Sequence, residues 1–289
     1  MSEAGIDLLV IKGTALAYTV YQHPWHRSRN DTDLLIREED LDKAVTVLQS
    51  QGFDQRFSLP GDLVKGELTF DYVDRFEIVH SLDLHWRLNN NWMLATAASF
   101  EELWRERMLL PGFSNEVFGC SYRFALLIAS VHRIAHLNDV AYRVGDFQRM
   151  ESDFTLWIYD IHLLANKMDG WRDLCHLAVE RRIARFLLDG LERSIALFAT
   201  SVPAQVLTVL ESAENQHDVS SMVGRFSADF QSFLALRGWR RKRRYLIEQL
   251  FPSPEYMRVK YGQGHFMRVR YVDRLIGGMS KRLKRSSSD

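Results

Sequence analysis

Arg29-Asn30-Asp31-Thr32-Asp33-Leu34-Leu35-Ile36 is the stretch on which the reading of this chain turns. Two carboxylates at spacing two lead into an apolar run, so Asp31 and Asp33 open a strand and project from one face of it. Held a few ångströms apart, they repel each other unless something positive stands between them. A divalent cation does that, and Mg²⁺ favours one or two carboxylates plus phosphate oxygens and water. An Asp-x-Asp pair alone is a weak signal, equally at home in a solvated turn beside a helix cap.

Upstream lies Val10-Ile11-Lys12-Gly13-Thr14. The run Ile6 to Ile11 predicts a buried strand, Gly13-Thr14 a turn, and Ala15 to Tyr21 a helix that Pro24 ends. Such a turn leaves backbone N–H groups free at a helix N-terminus, where an anion is favoured. Gly13 lets a phosphate approach the backbone, and Lys12 can add a point charge to it. Without its surroundings, strand-Gly-Thr-helix is an ordinary connection.

Downstream, Asp40 can cap a helix with Leu41, Ala44, Val45 and Leu48 on one face, closed by Gly52. Phe70 to Val73 and Phe76 to Val79 predict strands close to a turn. Ser81-Leu82-Asp83-Leu84-His85-Trp86 alternates with period two, so Asp83 and His85 share a face. If that strand neighbours the Asp31/Asp33 strand, three carboxylates converge. Three carboxylates can hold two Mg²⁺ ions around a nucleoside triphosphate, and the third can take the proton of an attacking hydroxyl.

This order of motifs resembles the nucleotidyltransferase superfamily of DNA polymerase β type. It is most similar to a bacterial family of uncharacterised nucleotidyltransferases with a Lys-Gly turn, an Arg-x-x-Asp-x-Asp strand and a Glu/Asp-Leu-His-Trp strand ahead of a helical domain. The resemblance covers about residues 6–90, and more loosely Val131 to His136 and Trp157 to Asp160. It implies Asp31, Asp33 and Asp83 as metal ligands and catalytic carboxylates. It implies Lys12, Gly13 and Thr14 as the triphosphate turn, with Mg²⁺ as cofactor and an NTP, ATP by expectation, as substrate. Thr14 stands where the wider superfamily has Ser or Gly. Arg29 can bind a phosphate or pair with the carboxylates, and His85 can orient a ligand or a carboxylate.

After about residue 115 the pattern becomes helical: Arg123 to His136, Asp153 to Lys167, Trp171 to Glu180, Ile183 to Ala199, a helix opened by Pro203, and Arg240 to Leu250. A last amphipathic helix is expected around Val272, Leu275, Ile276, Met279 and Leu283, and a loop over residues 212–221. The expected fold is therefore α+β. A small mixed β-sheet nucleotidyltransferase-like domain with flanking helices, residues 1–115, precedes an all-helical domain, residues 116–289, with the nucleotide in the cleft between them. His132 and His136 are expected to line that cleft; the residue after His132 is Arg133, where a zinc-helix motif has Glu. Asp160, in an otherwise apolar helix, is expected to face Arg, His or the cleft.

The 289 residues, 46% apolar and 26% charged, suffice for a sizeable core and exclude a disordered chain. No apolar run approaches the ~18 residues of a membrane span. Met1 to Asp7 lack the basic start and apolar run of a secretion signal, and Cys120 and Cys175 make no disulfide framework, so a cytoplasmic protein is expected. A net charge of zero hides asymmetry: residues 1–115 hold 18 acidic and 11 basic side chains, and residues 237–285 hold 15 basic and 3 acidic. That basic segment, interleaved with aromatics such as Trp239, Tyr245 and Tyr256, suits a partner-facing surface, an anionic membrane surface or nucleic acid.

The predicted reaction is Mg²⁺-dependent transfer of a nucleoside monophosphate from an NTP to a hydroxyl of a small molecule, peptide or protein, releasing pyrophosphate. Its rivals are a nucleotide-binding or interaction protein on the same fold without the chemistry, and a polyanion- or membrane-surface adaptor built on the basic segment.

Overall fold

In the computed structural model, residues 1–56, 63–110, 112–137, 140–144, 147–151, 153–219, 225–252 and 256–257 are described. The expected helix around Val272 to Leu283, and the basic segment beyond residue 257, lie outside them.

The fold is α+β. Strands β1 (Leu9–Ile11), β2 (Asp31–Leu35), β3 (Asp54–Gln55), β4 (Glu67–Val73), β5 (Val79–His85), β6 (Met108–Leu110) and β7 (Ser114–Gly119) form one mixed sheet in the order β3-β4-β5-β2-β1-β7-β6. The central pairs are β1–β2, antiparallel, and β2–β5 and β1–β7, parallel. The remaining pairs are antiparallel.

The helices are α1 (Lys12–Thr19), α2 (Leu41–Ser50), α3 (Trp92–Ala95), α4 (Phe100–Arg105), α5 (Tyr122–Ala135), α6 (Thr155–Ala165), α7 (Trp171–Glu180), α8 (Ala184–Phe198), α9 (Ala204–Ser212), α10 (Arg225–Ala235) and α11 (Trp239–Leu250). The helical part also carries a two-stranded hairpin, β8 (Val140–Val144) with β9 (Phe147–Glu151).

Alternation along the strands sorts side chains between two cores. Val10, Leu34, Ile36, Phe70 and Leu84 join Ala44 and Leu48 of α2 under one face of the sheet. Leu9, Ile11 and Leu35 enter the larger core with Phe124, Leu127 and Val131 of α5 and the buried sides of α6 to α9. Sheet and helical bundle thus share one continuous apolar interior. By the same period of two, Asp31, Asp33, Asp83 and His85 lie on the sheet face that the bundle covers.

Local reasons for the elements are plain in the sequence. The run Leu9-Val10-Ile11 is buried throughout, as a central strand with both faces covered must be. Helix α2 buries Ala44 and Leu48 of its apolar stripe, and Gly52, at φ 83°, turns the chain out of it. Ser99 and Glu102 close a capping box on α4.

Two expectations are corrected, and two strands were not foreseen. The first helix starts at Lys12, not Ala15, so Gly13 and Thr14 lie in its first turn. Phe76 to Ile78 are not strand: Asp74 accepts hydrogen bonds from the Phe76 and Ile78 amides and closes a turn, and the strand starts at Val79 and runs unbroken to His85. The edge strand β6 and its neighbour β7, short and largely half-buried or exposed, left no apolar periodicity in the sequence.

Candidate active site

The parallel register of β2 on β5 sets Asp31 beside Ser81, Asp33 beside Asp83 and Leu35 beside His85. On the other flank, β4 sets Glu67 beside His85 and Thr69 beside Asp83. Four sequence-predicted residues therefore meet: Asp33, Asp83, His85 and Lys12. Ligand atoms of Asp33, Asp83 and His85 all lie within 4.8 Å of one another, a set able to hold a metal ion.

Lys12 is the hinge between β1 and α1. Its φ of 53° is left-handed, costly for a side chain with a Cβ, and it makes the sharp strand-to-helix turn. Its Nζ donates to Asp33 Oδ1 at 2.6 Å and lies 3.3 Å from His85 Nε2. His85 Nε2 is 2.8 Å from the same Asp33 oxygen. Burial would push the Asp33 carboxyl up, but the Lys12 charge and the His85 hydrogen bond override it and hold it well below the ordinary carboxylate range. Burial would lower the Lys12 ammonium; Asp33, with Glu67 and Asp83 behind it, raises it above its ordinary value.

Asp31 shows the opposite imbalance. Desolvation and the charges of Asp33 and Asp83 push its carboxyl up, against the pull of Lys12 and His85. Asp83 Oδ1 accepts a 2.7 Å hydrogen bond from Thr69 Oγ1. Glu67 Oε2 lies 3.2 Å from His85 Nδ1, without hydrogen-bond geometry, and that buried nitrogen has no hydrogen-bond partner. The cluster thus holds Asp31, Asp33, Asp83 and Glu67 against Lys12 and His85, and a further cation is electrostatically welcome there.

The other predicted residues are placed as follows. Gly13 lies in the first turn of α1, with the Arg27 guanidinium 3.4 Å from where a Cβ would stand. Thr14 is buried, its hydroxyl 3.3 Å from Thr32 Oγ1 and 3.4 Å from the Asp31 carbonyl oxygen, so it braces β2 from behind. Helix α1 has no side-chain cap, which leaves its first amides to other acceptors. Arg29 is exposed and donates to the carbonyls of Pro24 and Arg27, each at 3.3 Å, rather than to the carboxylates.

Sequence reasoning missed Arg27, Glu67 and Thr69. Arg27, buried, makes a bidentate pair with Asp160 of α6: Nε to Oδ1 at 2.9 Å and Nη2 to Oδ2 at 2.8 Å. Tyr21 donates to Asp160 Oδ1 at 2.7 Å. Asp160 does face an arginine, as its apolar helix demanded, and the pair ties the loop before Asp31 to the bundle. Nothing near Arg27 in the sequence marked it. Thr69 follows from Asp83 only once the β4–β5 register is known. His132 and His136 pack ring to ring at 4.6 Å and against Trp157 at 5.1 and 5.6 Å, on the bundle side of the site. Burial, with Lys12 and His136 nearby, pushes His132 far below the ordinary histidine range.

A carboxylate cluster on a central pair of parallel strands, beside a lysine-glycine turn that opens a helix, is the arrangement of a nucleotidyltransferase. The chain belongs to a family of uncharacterised nucleotidyltransferases, whose model matches residues 1–199. No curated protein matches it. Among the described residues no helix is long and apolar enough to cross a membrane.

Proposed function

We propose that the protein transfers a nucleoside monophosphate from an NTP to a hydroxyl acceptor and releases pyrophosphate, with Mg²⁺ held by Asp31, Asp33 and Asp83. The observation that carries this reading is the alignment of Asp33 with Asp83 across β2 and β5, with Asp31 two residues away on the same face. The oxygen-rich donor set suits Mg²⁺. Lys12 already holds a positive charge against Asp33, and the raised carboxyl of Asp31 marks a place where another cation relieves repulsion.

When bound, Mg²⁺ supplies charge neutralisation to the phosphates and acidity to a coordinated hydroxyl. The chain's own groups do the rest. The uncapped first turn of α1, with Gly13 at its surface, receives the β- and γ-phosphates. Lys12, drawn off Asp33, follows them as a mobile ammonium. Asp83, fixed by Thr69, accepts the proton of the acceptor hydroxyl. His85 holds Asp33 in place from below. Arg27 and Asp160 keep the Ser28–Asp31 segment and the α1 turn at a fixed separation. Arg29 remains at the rim, near enough in sequence to meet a phosphate, though its present partners are carbonyls.

The test is direct. The protein with Mg²⁺ and ATP or another NTP should release pyrophosphate, and Asp31→Ala or Asp33→Ala should abolish release while circular dichroism stays native. Turnover unchanged in both variants removes the carboxylates from the chemistry. Tight NTP binding without pyrophosphate release, across a broad set of hydroxyl acceptors, supports the non-catalytic binding protein instead.

A further inference from the structure

His85, at the end of β5, is 1% exposed and stands between two carboxylates. On one side its Nε2 lies 2.8 Å from Asp33 Oδ1. On the other, the β4–β5 register sets Glu67 level with it, and Glu67 Oε2 lies 3.2 Å from Nδ1. Nδ1 is nevertheless a buried nitrogen without a hydrogen bond. The chemistry of a neutral imidazole accounts for this. With its one proton on Nε2 for Asp33, it turns a lone pair to Glu67, and neither atom can donate. Leaving such a buried nitrogen unpaired is costly, and a partner that takes Nε2 without its proton sends that proton to Nδ1, beside Glu67.

Nε2 already faces a cation. The Lys12 ammonium stands 3.3 Å from it and 2.6 Å from Asp33 Oδ1. The separation of those two ligand atoms, 2.8 Å, is close to the roughly 3 Å between adjacent ligands of an octahedral dication. Asp83 completes the set, with ligand atoms of Asp33, Asp83 and His85 all within 4.8 Å of one another. Glu67 is itself held: Asn90 Nδ2 donates to its Oε1 at 3.0 Å, and Asn90 Oδ1 accepts from the Gly66 amide at 2.7 Å. A metal-binding histidine almost always donates its other ring N–H to a carboxylate, carbonyl or water, which fixes tautomer and ring orientation. Glu67 stands where that carboxylate belongs.

We propose that His85 Nε2, Asp33 and Asp83 bind a first-row transition dication in the place that the Lys12 ammonium now fills, with Glu67 as the outer carboxylate of the histidine. The inference rests on the nucleotidyl-transfer reading for the purpose of that ion and deepens it by naming one of the cations. Asp31, with Asp33, remains for the Mg²⁺ that accompanies a triphosphate. Mg²⁺ favours oxygen ligands and dehydrates reluctantly. An imidazole ligand shifts the preference towards transition dications, with affinity rising from Mn²⁺ to Co²⁺. A histidine serving only to hold Asp33 by a hydrogen bond would give no such preference.

Dication binding to the full chain without nucleotide separates the two roles. Calorimetry should give the wild type a Mn²⁺ affinity about tenfold or more above its Mg²⁺ affinity. Electron spin echo envelope modulation of the Mn²⁺-loaded protein should show a directly bound imidazole nitrogen. His85→Gln should abolish that nitrogen signal and weaken Mn²⁺ about tenfold or more, while Mg²⁺ affinity changes little. Glu67→Gln, at a half-buried position, should keep the signal and weaken Mn²⁺ about tenfold. The wild-type spectrum needs no variant to fold. Its lack of a nitrogen signal, or a signal that survives in His85→Gln, overturns the ligand role of His85 and leaves the carboxylate site for Mg²⁺ standing. A wild-type chain that binds neither Mn²⁺ nor Mg²⁺, even with α,β-methylene-ATP, overturns this role and the nucleotidyl-transfer reading together.

Discussion

Asp33 and Asp83, fifty residues apart in the chain, stand directly opposite each other on adjacent parallel strands. Neither is free to turn away. Asp33 is pinned by Lys12 and His85, and Asp83 by Thr69. The sheet therefore holds two carboxylates at close quarters with different partners, and each partner can be removed by itself.

Removing either member of the buried Lys12–Asp33 pair leaves the other charge stranded. Asp33→Asn should lower stability by about 3 kcal/mol, with a comparable loss for Lys12→Met. The double variant should lose clearly less than the sum, with a coupling of about 1–3 kcal/mol. Urea unfolding of the four proteins measures it, and strictly additive losses would mean that the ion pair contributes nothing of its own.

Thr69→Val deletes the hydroxyl that fixes Asp83 and keeps the shape. Asp83 is only half-buried and can find water instead, so stability should change by less than about 1 kcal/mol. Pyrophosphate release should drop about tenfold to a hundredfold, because a carboxylate near a metal depends on its outer hydrogen bond for orientation. Unaltered turnover would show that Asp83 needs no such support.

Gly13→Ala tests the phosphate turn without damaging the fold. The new methyl would meet Arg27 at 3.4 Å, an ordinary contact, and Gly13 has no left-handed backbone to lose. Alanine in a helix is favoured over glycine by up to about 1 kcal/mol, so the melting temperature should hold or rise. Affinity for Mg²⁺ with ATP should nevertheless fall, because the methyl occupies the approach to the first amides of α1. Full affinity in this variant would move the phosphates elsewhere.

His132 predicts an acid-sensitive stability. Its folded-state value lies far below the ordinary one, through burial first and then Lys12 and His136, with Asp33 opposing. Below about pH 6.5 the unfolded chain takes up a proton there that the folded chain refuses. Stability is therefore lost as the pH falls from about 6.5, and His132 contributes no pH dependence above it. His132→Gln should flatten the slope of unfolding free energy between about pH 5 and 6.5. A residual slope should remain from His162 and His217, both also lowered by burial. An unchanged slope would mean that His132 is charged in the folded protein.

Much of the site was legible in one dimension because its residues sit on strands. Period two is enough to set Asp31 with Asp33, and Asp83 with His85, on single faces, and a glycine after an apolar run announces the turn. The same reasoning erred where a hydrogen-bonded side chain, not periodicity, sets the structure: Asp74 folds Phe76 to Ile78 into a turn although their composition is that of a strand. It was silent on Arg27, because an arginine in a polar loop looks the same whether it faces water or Asp160.

By itself the sequence determined the α+β class, the carboxylate strand, the lysine-glycine turn and the helical run that follows, since each depends on residues close together in the chain. Only the tertiary structure decided that β5 lies against β2 with Asp83 level with Asp33. It alone set Lys12 on Asp33 and drew Arg27 onto Asp160. Strand order and register come from which apolar faces close over one core, and that choice is made by the whole chain at once.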